Sequence, residues 1–300
     1  MNIIGKKYWY FLFSLIIIIP GVISLALYGL NLSIEFTGGS NFAFSFPKEL
    51  SVDKVATVKN IFTENNIKVV NIEESGNFVY VKSQPVSEKQ DIQITDSIKT
   101  KIGTFKQEQY DTVGPTIGSE ITGNAVKALV IASILIVLYI TWSFRKVPKP
   151  TSSFRFGVSA IVALVHDVLV LLGIFSILGH FLGVEIDSLF VTAALTVIGF
   201  SVHDTIVVFD RIRENLRRVG GENFSEVVND SILQTLDRSL NTSLTVILVL
   251  VALLLFGGDT IRWFVVALLI GIISGTYSSI FNASPLLVVW QEIIEKKFKK

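Results

Sequence analysis

LFVTAALTVIGFSVHDTIVVFD, residues 189–210, decides how the chain is read. Its first half is lipid-soluble and IVVF continues in that vein, yet His203, Asp204 and Asp210 interrupt it. The surroundings match. Half of the 300 residues are hydrophobic, 17% are charged and the mean hydropathy is +0.59, which suits a polytopic membrane protein and not a soluble one. Cysteine is absent, so no disulfide, thiolate nucleophile or Cys-ligated metal is available.

Six apolar runs are long enough for the roughly 20 helical residues that cross a bilayer: 8–30, 122–142, 154–178, 187–210, 239–256 and 261–290. The first, flanked by Lys6 and Lys7, is longer than a signal-peptide core and lacks an A-x-A exit, so it reads as a retained anchor. Basic residues sit in alternate loops. Arg145, Lys146, Lys149 and Arg155 follow span two, Arg211, Arg213, Arg217, Arg218 and Arg238 lie between spans four and five, and Lys296, Lys297, Lys299 and Lys300 end the chain. The opposite short loops, 179–186 and 257–260, have no Lys or Arg, which places both termini in the cytoplasm.

The roughly 90 residues between spans one and two would then lie outside, and their pattern is that of a soluble domain. SNFAFSF (40–46) alternates like a strand. SVDKVATVKNIFTENN (51–66) has helical spacing at Val52, Val55, Val58 and Phe62, with Ser51 as N-cap. IKVVNIEE and NFVYVKS read as strands around ESGN, followed by a helix (87–103) and a strand (104–113). The order β-α-β-β-α-β predicts a ferredoxin-like domain. It lacks Cys and His and its acids are scattered, which favours binding over catalysis. The expected divisions are 1–30 (first span), 31–121 (external domain), 122–290 (the other five spans) and 291–300 (basic cytoplasmic tail).

An ionised Asp inside a span costs about 2.5–3.5 kcal/mol even on the lenient insertion scale, so such residues mark bundle interiors and ion paths. Two spans carry one, as His166-Asp167 and His203-Asp204. At 100° per residue, Thr192, Thr196, Gly199, His203 and Asp210 form one stripe, while Asp204 points about 100° away, near Val197, Ser201 and Val208. Periodicity alone favours His203. Asp210 reads as an interfacial anchor paired with Arg211 or Arg213, and Asp167 as either a structural hydrogen bond or a supporting polar group. On the fifth span Arg238, Asn241, Thr242 and Thr245 make a polar stripe whose arginine could answer a carboxylate on span four. Ala267, Gly271, Gly275, Ser279 and Ala283 recur every four residues on span six and predict a close helix contact, whether inside this chain or with a partner.

Several segments together resemble the SecF family, the smaller membrane subunits of bacterial SecDF protein-export complexes, related to resistance-nodulation-division (RND) transporters. They are IEFTGGS (34–40), VGPTIGSE (113–120), ALVHDVLVLLG (163–173), LTVIGFSVHDTIVVFDRIREN (195–215), RSLNTSLTV (238–246) and GTYSSIFNASPLLV (275–288). The resemblance implies a six-helix RND-like half in the bacterial cytoplasmic membrane. It further implies a proton pathway through Asp204, with Arg238, and SecD, the SecYEG channel, the exported preprotein and the lipid bilayer as partners. Residues 40–113 would engage the preprotein. A helix irregularity near Gly199 could bring His203 and Asp204 onto one face. The alternative is half of an RND-type small-molecule or lipid exporter. An intramembrane metalloenzyme is disfavoured, since HExxH and Walker motifs are absent and His180 lies in an external loop. Neither enzymatic activity, cofactor, metal nor nucleic-acid partner is expected.

Overall fold

The computed structural model describes residues 1–48, 51–145, 147–148, 151–218 and 223–298. Lys146, Lys149, Lys299 and Lys300, used above to orient the chain, lie outside the described residues, as does the side chain of Val52. The chain divides into two compact units, 32–126 and 1–31 with 127–300.

In the smaller unit α2 (Ile34–Thr37) leads into β1 (Gly39–Ser45), α3 (Val52–Glu64), β2 (Val69–Ser75), β3 (Phe78–Ser83), α4 (Glu88–Lys101) and β4 (Lys106–Val113). The sheet order is β2-β3-β1-β4 and every neighbouring pair is antiparallel. Side chains alternate along a strand, so β1 sends Phe42, Phe44 and Phe46 to one face, where they meet Val79 and Val81 of β3. Val58, Ile61 and Phe62 of α3 and Ile94 and Ile98 of α4 close over them. Ser51 occupies the N-cap position of α3 with extended backbone, but its side chain makes no capping bond, contrary to the expectation. Gly38 and Gly39, at φ +71° and +145°, turn the chain into β1. A Cβ on Gly39 would lie 2.8 Å from the Ser83 carbonyl oxygen, and one on Gly118 would lie 2.8 Å from the Gly38 nitrogen, so the IEFTGGS and VGPTIGSE segments pack backbone to backbone.

The larger unit is a helical bundle. Among the described residues, six helical segments are long and apolar enough to cross a membrane: Ile4–Tyr28, Pro115–Ser143, Ser153–Leu182, Ser188–Arg218, Phe224–Phe256 and Asp259–Lys297. They contain α1 (Lys7–Tyr28), α5 (Pro115–Ser143), α6 (Ser153–Leu182), α7 (Ser188–Arg218), α8 (Phe224–Phe256), α9 (Asp259–Ser278) and α10 (Ser284–Phe298). The protein is a polytopic membrane protein. Hydropathy marks only the apolar part of each helix. Hence α7 runs eight residues past the expected end of span four, and α8 begins at Phe224, capped by the Asn223 side chain, instead of at 239. Span six is no single α-helix either: a π-turn, Ser279–Ala283, separates α9 from α10, and α10 continues through residues expected as a tail.

Small residues set the close crossings. A Cβ on Gly173 of α6 would lie 2.7 Å from the Gly21 Cα of α1, and beside this contact Ser24 and Ser176 share a hydrogen bond of 2.9 Å. The neighbour of the span-six stripe belongs to this chain. Cβ atoms on Gly271 and Gly275 would lie 2.1 Å from Val197 Cγ2 and 2.8 Å from Ser201 Cβ, both on α7. At the Arg218 end of the bundle, Phe144, Phe156 and Phe209 pack together in tilted and edge-to-face contacts, and the first residues tuck in beside α8, where Asn229 Oδ1 accepts the Ile3 N–H at 2.8 Å.

Candidate functional site

The side chains of α7 reverse the order that periodicity favours. Asp204 is 2% exposed, whereas Thr192, Thr196, Gly199, His203 and Asp210 all face away from the bundle. The preference for His203 as the inward group is therefore overturned. The inward face of α7 is built from Ala193, Ala194, Val197, Ile198, Ser201 and Thr205, small enough for α9 to approach, so the more polar stripe falls on the opposite side. The helix is regular throughout, and no irregularity at Gly199 rotates one residue onto the other's face.

Asp204 Oδ2 faces two hydroxyls, Ser243 Oγ on α8 and Thr276 Oγ1 on α9, each at 3.4 Å. Those hydroxyls bond each other at 2.6 Å, and Thr276 also reaches the Ile272 carbonyl at 2.9 Å. Their two protons cannot serve every bond. One is consumed between the hydroxyls, so at most one is left for the carboxyl, over a distance at the weak limit of hydrogen bonding. Asp204 is buried and short of donors.

Asp167 is fully buried on α6 and richly supplied. Oδ1 accepts from Ser274 Oγ at 2.7 Å and lies 2.9 Å from His166 Nδ1; Oδ2 accepts from Ser201 Oγ at 2.5 Å and Ser278 Oγ at 2.7 Å. The other ring nitrogen of His166 is 3.0 Å from Ser14 Oγ on α1, which in turn meets Asn282 of the π-turn. One carboxylate thus ties α6 to α7 and α9, and its histidine adds α1.

Arg238 lies on an exposed face of α8, and among the described residues no hydrogen bond or ion pair joins it to Asp204. It lines a cavity of about 560 Å³ with Asp210, Arg211, Glu214, Gln234 and Thr235, beside the Arg218 end of α7. Asp210 pairs with Arg213 at 2.5 Å, while Arg211 pairs with Glu214. Asn241 and Thr242 are exposed, and Thr242 bonds back to the Arg238 carbonyl, so neither joins the Asp204 cluster. Ser279 bonds Thr205 Oγ1 at 2.8 Å and the Ser201 carbonyl, fastening α7 to the π-turn.

Sequence reasoning missed the small hydroxyls. Ser231, Thr235, Ser239 and Ser243 recur every four residues along α8 and all are buried, a stripe passed over in favour of its larger polar neighbours. Ser274 and Ser278 on α9 have the same spacing.

The chain matches a family model described as "Protein export membrane protein SecD/SecF, C-terminal" over residues 93–293 and one described as "SecD/SecF GG Motif" over residues 23–46. It is 48% identical to the protein translocase subunit SecF of Thermobaculum terrenum and 44% identical to that of Anaerolinea thermophila, covering 97% of this chain and 94% of the relative in both cases. Against the protein translocase subunit SecDF of Bacillus subtilis it is 33% identical, over 96% of this chain but 38% of the relative. The crystal structure of SecDF from Thermus thermophilus superposes with a TM-score of 0.80 at 33% identity, covering 97% of this chain and 39% of that one. The chain therefore spans about two fifths of the SecDF chains it matches. With a family model fitting two thirds of its length and a relative 48% identical along nearly all of it, the chain belongs to the SecD/SecF family of protein-export membrane proteins.

Proposed function

We propose that this protein is a SecF-type accessory subunit of the Sec translocase, a transport component and not an enzyme, which with SecD couples the proton gradient to preprotein movement across the bacterial cytoplasmic membrane. The observation that carries the coupling is Asp204, a carboxyl buried among apolar helices whose hydroxyl neighbours supply at most one hydrogen bond. A group so placed has lone pairs to spare for a proton, and moving one charge across the membrane is worth about 2.3 kcal/mol per 100 mV. The partner reading is supported by relatives and solved structures in which SecD and SecF are one chain. It is also supported by the polar faces of α7 and α8, which this chain leaves uncovered and bare hydrocarbon would not suit. The sheet order β2-β3-β1-β4, antiparallel throughout, supports reading residues 32–126 as a ferredoxin-like domain. We place it outside the membrane, where it would meet the emerging preprotein beyond SecYEG, and both termini in the cytoplasm, following the basic loops.

The test compares gradient-stimulated export in inverted membrane vesicles for Asp204→Asn and His203→Gln, with SecD present. Asp204→Asn abolishes the stimulation while accumulating and assembling normally. His203→Gln, on the uncovered face, changes it by less than about twofold, the span of ±0.5 kcal/mol. Full stimulation in Asp204→Asn refutes the proton-coupling role.

A further inference from the structure

Two buried carboxylates lie on adjacent helices, and the supply of hydrogen-bond donors divides them. A carboxylate offers about four lone-pair sites. On Asp167 those sites are met by Ser201, Ser274 and Ser278 at 2.5–2.7 Å and, with a proton on Nδ1, by His166 at 2.9 Å. Asp204 has two contacts, both at 3.4 Å, that share one available proton. Asp167 is held; Asp204 is left loose.

The serine donors on Asp167 come from α7 and α9, two of the three helices that build the Asp204 cluster. Ser274 and Ser278 lie one turn apart on α9, and Thr276, between them, is about 200° around the helix from Ser274. The two aspartates therefore grip α9 from opposite sides, and any rotation of α9 that releases Asp167 also moves Thr276. Ser201 does the same for α7, one turn before Asp204, reinforced by the Ser279 bonds to Thr205 and the Ser201 carbonyl. The titratable or charged side chains nearest Asp204 are His203 on α7 and Arg238 on α8; the titratable neighbour of Asp167 is His166.

We propose that Asp167 is a positioning residue, which locks α7 and α9 in the rotation that presents Asp204 and Thr276 to Ser243 and does not itself exchange protons. The proposal rests on the reading of Asp204 as the coupling carboxyl.

Two variants test it, each expressed with SecD and assayed as gradient-stimulated export against pH in inverted vesicles, beside Asp204→Asn. Asp167→Asn keeps the size but replaces one oxygen with an NH2 group that cannot accept from hydroxyls. Ser274→Ala with Ser278→Ala removes two donors and keeps the carboxylate. The expected result is a displaced Asp204 environment: stimulation persists, and the midpoint of its pH profile moves by about half a unit or more in the serine variant and in Asp167→Asn. An unmoved midpoint overturns the proposal even where the amplitude falls, because a purely structural pin would lower the amplitude alone. Complete loss of stimulation in Asp167→Asn beside an unmoved serine variant makes Asp167 a carrier and also overturns it. Should Asp167→Asn fail to accumulate, the serine variant decides. Full stimulation in Asp204→Asn would instead sink the coupling reading, whereas lost stimulation there with unmoved Asp167 and serine variants would remove the positioning role alone.

Discussion

Asp204 lies on the inward face of α7 with Ser201 and Thr205, on the side that a helix wheel scores as the less polar. The wheel weights His203, Thr192 and Thr196 together, but that stripe faces away from this chain's bundle, while the inward side is read by Ser201, Thr205 and the aspartate itself. Serine and threonine hydroxyls scarcely register against hydrocarbon neighbours, yet they are what both carboxyls touch. In the smaller unit another aspartate is legible by its environment. Burial pushes the Asp91 carboxyl up from its ordinary value, the Gln107 amide donated to it at 3.0 Å partly offsets this, and Glu88 adds to the rise. Folded Asp91 therefore holds its proton more readily than unfolded Asp91, so the unit gains stability as pH falls through that raised value and is penalised above it. Asp91→Asn keeps an oxygen for Gln107 and cannot titrate. At neutral pH its α4 amides should exchange more slowly than those of the parent chain, and this advantage should fade as pH falls through the carboxylate range. An advantage that does not change with pH would assign the effect to packing.

At the scale of elements, hydropathy found all six spans but not where their helices end. A polar extension such as residues 224–238 of α8 has no apolar run to announce it, and it is held by the Asn223 cap and by Val227, Val228 and Ile232 packing into the core. The π-turn leaves a local sign that hydropathy does not weigh: Pro285, two residues on, cannot donate to the Phe281 carbonyl, and the turn is further held by distant partners, Ser14 on α1 and Thr205 on α7. The four-residue stripe on span six was legible as a contact, and the structure supplies the neighbour. Because Cβ atoms on Gly271 and Gly275 would collide with Val197 and Ser201, Gly271→Leu with Gly275→Leu forces α7 from α9. Each overpacked site costs about 1–3 kcal/mol. The double variant should lose thermal stability in detergent whether or not a partner is present; a variant as stable as the parent that merely fails to hold its partner would place the stripe at an interface after all.

Across the whole molecule, coverage is uneven. Half of the apolar window of α7 and 61% of that of the last span are buried inside the chain, against 17% for α8 and 6% for α5. We propose that a second membrane half covers the α7–α8 face, which would account for the sparse coverage of α8 and for the polar residues left on that face. Asn241→Leu with Thr242→Leu changes only exposed positions of α8, so the isolated bundle should melt as before while copurification with SecD in mild detergent weakens; undiminished recovery of SecD would move the interface elsewhere. The Ser24–Ser176 contact has a practical consequence. In a chain without cysteine, two thiols introduced at hydroxyls 2.9 Å apart would be the only pair able to oxidise, so a single reversible staple could clamp α1 to α6. If transport requires those helices to slide, oxidant would stall the machine and reductant restart it; if they travel as one body, the staple would pass unnoticed.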